Sequence, residues 1–83
     1  MMKKYNYIRT NRKELSLTQC ELIAMVNHNL SELNSLYRLS QSRLSFLERL
    51  NTDELLTKLN VLEYRQFQSV FNELEKVKHI LVD

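Results

Sequence analysis

Apolar residues recur at spacings of three and four along nearly the whole 83-residue chain, with short polar breaks that carry helix-capping residues. Ile8 and Leu15, with Tyr5 one turn earlier, predict a first helix over Tyr5–Leu15. Thr18, followed three residues later by Glu21, has capping-box spacing and starts a second helix over Thr18–Val26. Leu22, Val26, Leu30, Leu33 and Tyr37 continue one stripe, so residues 27–38 could extend that helix. However, Asn27, His28 and Asn29 are poor helix formers, and Asn29 with Glu32 repeats the capping signal. A separate helix over Leu30–Tyr37 is the favoured of the two expectations. Ser40 is a suitable N-cap for a helix over Gln41–Arg49. Leu39, Leu44 and Leu47 fall on one side of this stretch, and Gln41, Ser42, Arg43 and Ser45 on the other. A short helix over Thr52–Leu59 follows, then a longer one after Val61.

That last stretch has a second property. Tyr64, Phe67, Val70, Phe71, Leu74, Val77 and Leu81 form a continuous stripe, and the series 67, 74, 81 repeats every seven residues. The chain's own core can cover the near part of this stripe, Tyr64 to Val70, but the far end of a helix about 28 Å long, at Leu74, Val77, Ile80 and Leu81, projects beyond what so small a domain covers. A homodimer joined through Phe67, Phe71, Leu74, Val77 and Leu81 is therefore expected, the alternative being that the helix folds back and completes a monomer core.

Composition narrows the class. Gly and Pro are both absent, which leaves hairpin turns and sandwiches without their usual residues. At 43% apolar the chain is too hydrophobic for disorder, and no apolar run approaches the roughly 20 residues of a membrane span. The expectation is an all-α, compact helical domain in the cytoplasm, with no membrane contact. The net charge of +2 is unevenly spread. Residues 1–50 carry eight Lys or Arg against four Glu, and residues 51–83 carry four against six acidic residues. The basic half, which contains the 41–49 helix, suits a phosphate-bearing partner.

The exposed side of that helix offers an amide, hydroxyls and a guanidinium, groups that hydrogen-bond base edges and phosphates. Gln41 and Ser42 are the candidates for base edges, Arg43 for a base or phosphate, Ser45 for the same face, and Ser40 with Gln19 for phosphates. No glycine means no Gly-rich phosphate loop, and no nucleophile–base or paired-carboxylate arrangement stands out. A non-enzyme is expected, with no cofactor. His28, His79 and Cys20 lie too far apart in sequence to suggest a metal site. Phe46, Tyr64, Phe67 and Phe71 have the spacing of core or interface residues rather than of a base-stacking platform.

The segments IRTNRKELSLTQCEL, LSQSRLSFLERL and LNTDELLTKLNVL, in that order, resemble the phage repressor/Cro-like helix-turn-helix domains of the XRE family. The resemblance covers roughly residues 5–62. It implies a helix-turn-helix DNA-binding domain over residues 1–62, with residues 63–83 as a C-terminal dimerisation helix. It also implies a structural ion pair between Arg12 and Glu48. The sequence departs from the pattern at Ile23, where the family has a small residue, in the missing turn glycine, and in about eleven extra residues over 27–38. The implied function is a sequence-specific transcriptional regulator, repressor-like or an antitoxin with a partner toxin. A helical protein-interaction module without DNA contact is the other class left open.

Overall fold

The computed structural model describes residues 5–82, with side chains through residue 78. It contains five helices: α1 (Tyr7–Glu14), α2 (Gln19–Glu32), α3 (Gln41–Glu48), α4 (Thr52–Lys58) and α5 (Val61–Val82). There is no strand among the described residues. The all-α class and the long C-terminal helix are as the periodicity indicated.

Each start has a side-chain cap. Asn6 accepts from the Arg9 amide at 2.9 Å, so α1 begins at Tyr7 rather than Tyr5. Thr18 and Glu21 form the capping box of α2 in both directions, at 2.9 and 3.1 Å. Ser40 caps α3 and Asn51 caps α4. At the head of α5, the Asn60 amide donates to Glu63 and the Glu63 amide to the Asn60 side chain, a second capping box.

Two helix ends explain how the chain turns without glycine. Ser16 and Asn34 adopt left-handed backbone, each with φ of 58°. After α1, the Ser16 and Leu17 amides donate to the Lys13 and Arg12 carbonyls. After α2, the Asn34 and Ser35 amides donate to those of Ser31 and Leu30. Both are Schellman caps in which Ser or Asn takes the position glycine usually fills.

The separate helix expected over Leu30–Tyr37 does not exist. α2 runs unbroken through Asn27–Asn29 to Glu32, and residues 35–40 are irregular. Val26 and Leu30 are buried on the same stripe as Leu22, and that burial outweighs a few tenths of a kcal/mol of weak propensity per residue. The helical stripe stops at Leu30: Leu33 faces solvent, and Tyr37 reaches the core from the irregular segment after α2.

The core is one cluster to which every helix contributes. Ile8, Leu22, Val26, Leu30, Leu44, Leu47 and Leu55 pack with Phe67, Val70 and Phe71 of α5. The Tyr7 ring meets Phe71 edge-on at 5.8 Å. Residue 62 is therefore no boundary within the core, and the first half of α5 belongs to the same packed unit.

Candidate nucleic-acid interface

Leu44 and Leu47 hold α3 against the core, and its opposite face is left outward. Its far end is tied down by Asn6, whose buried side-chain amide donates to the Leu47 and Leu50 carbonyls at 2.8 and 2.6 Å. One residue thus caps the start of α1 and the end of α3. Arg9 adds a bond to the Glu48 carbonyl at 3.0 Å. At the near end, the Asn27 amide brackets Leu39: Oδ1 accepts from its N–H at 2.7 Å and Nδ2 donates to its carbonyl at 3.0 Å. An Asn that looked like a helix breaker is instead the clasp that sets where α3 begins.

A polar chain crosses from the interior to the outer face. Arg12 grips the buried Glu48 carboxylate with two bonds, Nε to Oε2 at 2.7 Å and Nη2 to Oε1 at 2.9 Å. This is the ion pair that the resemblance implies. Gln19 donates to Glu48 Oε1 at 3.1 Å and accepts from Gln41 Nε2 at 2.6 Å. Ser45 Oγ lies 3.5 Å from Gln19 Oε1. Of the six expected contact residues, the fold brings Gln19, Gln41 and Ser45 together at the junction of α2 and α3. Ser40 and Ser42 are exposed beside them, although the Ser40 hydroxyl is occupied in capping.

Arg43 departs from expectation. Its guanidinium turns inward and binds Glu63 in a fork, Nε to Oε2 and Nη2 to Oε1, both at 2.9 Å, and a further bond reaches the Lys58 carbonyl at 2.8 Å. The same Glu63 accepts from the Tyr37 hydroxyl at 2.5 Å and the Asn60 amide at 3.0 Å. Arg43 is therefore a strut between α3 and α5, with three of its five N–H donors used within the chain. Burial pushes the Glu63 carboxyl up, but the bonds from Arg43, Tyr37 and Asn60 outweigh it and hold it below the usual carboxylate range. Burial, then the bond to Glu63, pushes the Tyr37 phenol up to about 12. The bond to Glu63 raises Arg43 further.

Sequence reasoning missed Asn6, Asn27, Tyr37 and Glu63. Only Glu63 left a signal that could have found it, the capping spacing of Asn60 to Glu63.

The expected dimer residues divide. Phe67 and Phe71 are buried in the chain's own core and are not available to a second copy. Leu74 is partly buried against the same core, and Val77 is half-exposed. The Leu81 side chain lies outside the described residues. Among the described residues, no helix is long and apolar enough to cross a membrane, and no group of three metal-ligating side chains comes together.

Comparison of the chain with protein-family models, with curated proteins and with solved structures finds no match.

Proposed function

We propose that the protein is a DNA-binding transcriptional regulator of the cytoplasm whose α3 enters the major groove by its N-terminal end. The observation that carries this reading is the polar chain from Arg12 through Glu48 and Gln19 to Gln41. It fixes a side-chain amide at the outer face of α3, where a free glutamine would rotate about several bonds. Fixing the amide beforehand reduces the ordering cost on binding. With one N–H given to Gln19, Gln41 retains a second N–H, and its oxygen, which accepts a long contact from the Cys20 thiol at 3.7 Å, keeps a second lone pair. That donor–acceptor pair complements the major-groove edge of adenine. Glu48, the one acidic side chain in this chain of contacts, is neutralised by Arg12. The capping box uses the Thr18 and Glu21 amides, and those of Gln19 and Cys20 remain at the open end of α2, suited to a phosphate.

The test is selection from a random duplex library, followed by anisotropy titrations. Gln41→Ala is expected to cost about 1–3 kcal/mol on the selected site and little on random duplex, and Gln19→Ala, which releases the Gln41 amide while keeping the backbone N–H, to weaken the selected site more than random duplex. Failure to enrich any sequence, together with no binding to random duplex at low salt, removes the reading.

A protein-interaction module is the competing function. Leu33, 62% exposed, and Leu36, 100% exposed, favour it, because two leucines displayed at the end of α2 and in the following loop suit a partner protein, such as the toxin of an antitoxin pair. Enrichment of a partner but of no duplex decides for it.

A further inference from the structure

Gln66 precedes the core residue Phe67 in α5 and is itself only 6% exposed. Buried polar side chains in folded proteins are nearly always hydrogen-bonded, as Glu63 is one turn earlier. The Gln66 carboxamide has no such partner among the described residues. No fully buried side-chain nitrogen or oxygen among them is left unsatisfied, so both polar atoms of Gln66 belong to its small exposed part. They surface in a cleft of about 360 Å³ between the end of α2 and the first half of α5, lined by Asn29, Glu32, Leu33, Arg65, Gln66 and Ser69.

That lining narrows what can enter. A carboxamide presents an acceptor and N–H donors from one group, which matches the neighbouring C=O and N–H along one edge of an extended peptide. Leu33, 62% exposed, is an apolar wall beside it. Glu32 and Arg65 bring one charge of each sign, so the cleft has no net field to collect a phosphate chain. A nucleobase would stack on an aromatic ring, and the lining has none.

We propose that this cleft binds an extended peptide segment of a partner protein, with the Gln66 carboxamide bonding one of its backbone peptide groups and Leu33 covering an apolar side chain next to it. In such sites main-chain bonds supply affinity and side-chain contacts supply specificity. Because the rest of Gln66 is buried, its amide is held in place before the peptide arrives, which lowers the ordering cost. The cleft lies at the end of α2 away from the Gln19–Gln41 junction, about 15 Å along the helix axis from Gln19 to Asn29. The inference therefore goes beyond the DNA reading and does not depend on it.

The probe is a phage-displayed library of random heptapeptides, selected on the immobilised intact chain without DNA; enriched peptides are then titrated by calorimetry. They are expected to share a Leu, Ile or Met. Methylation of one backbone nitrogen of the peptide should weaken binding at least roughly tenfold, and so should Gln66→Leu, which keeps the volume and removes the amide. Leu33→Asp, at an exposed position, should have an effect of the same order, and Leu56→Lys, on α4, less than about twofold, all with the helical circular dichroism spectrum unchanged. In nuclear magnetic resonance spectra the Gln66 side-chain amide signal should move with the peptide and not with inorganic phosphate or glucose. Failure to enrich any peptide overturns the proposal. So does a peptide whose affinity survives Leu33→Asp or a folded Gln66→Leu, one that Leu56→Lys alone weakens, or an amide signal that moves with phosphate or glucose instead. A chain that selects a duplex but no peptide overturns this proposal and leaves the DNA reading standing; one that selects a peptide but no duplex does the reverse.

Discussion

Arg43 and Glu63 are twenty residues apart, yet the carboxylate is almost wholly buried and the guanidinium supplies most of its compensation. Removing one member of a buried pair strands the other, at about 3–5 kcal/mol. Arg43 keeps about a third of its side chain in solvent, so Arg43→Ala should fall near 3 kcal/mol. Arg43→Lys should recover only part of it, because an ammonium cannot form the fork. Urea unfolding measures both, and a loss under 1 kcal/mol for the alanine variant would contradict the strut. The pH dependence has a definite sign. The Glu63 pKa is lower in the folded than in the unfolded state, so its contribution is complete above the unfolded carboxylate value of about 4.3 and declines as pH falls through the folded value. Tyr37 acts at the other extreme: raised to about 12, it contributes fully below about 10 and loses that contribution as pH rises through the folded value. Wild-type stability should therefore fall more steeply than that of Glu63→Gln between pH 5 and pH 3. Parallel curves would refute the assignment. An arginine on the outer-looking side of a helix gave no sequence-level warning of this partner, because the contact depends on how α5 crosses α3.

At the scale of the elements, local rules decide where helices start, and side-chain caps supply their first amides. Ends are costlier here. A non-glycine residue in left-handed backbone loses roughly 1 kcal/mol or more, and asparagine tolerates it better than serine. Ser16→Gly is expected to stabilise the fold by about 1 kcal/mol and Asn34→Gly by less, as thermal unfolding would register. A destabilising Ser16→Gly would show that its hydroxyl does something the backbone geometry does not reveal. The capping pairs Thr18–Glu21 and Ser40–Arg43 amide were legible because they span three residues. The break expected after Val26 failed because Asn27 has a long-range partner. Its bonds to Leu39 and the burial of Val26 and Leu30 reward a continuous helix.

For the whole molecule, the shared core means that residues 1–62 should not fold alone. Without Phe67, Val70 and Phe71 they lose on the order of 2 kcal/mol of burial per side chain, comparable in sum to the entire stability of a domain this small. Circular dichroism of the truncated chain should show little cooperative melting; a sharp transition would restore the boundary at residue 62. What the sequence by itself determined was the helical class, the positions of four helix starts, the inward faces of α1 to α3, and the polar set at Gln19 and Gln41. All of these follow from periodicity and caps that act over three or four residues. Only the tertiary structure decided that α2 continues to Glu32, that Arg43 turns inward, that Phe67 and Phe71 complete the core, and that Leu56, Val61 and Tyr64 remain outside it. Those outcomes join residues 12 to 64 positions apart, and their energies depend on which faces meet when five helices compete for one small interior.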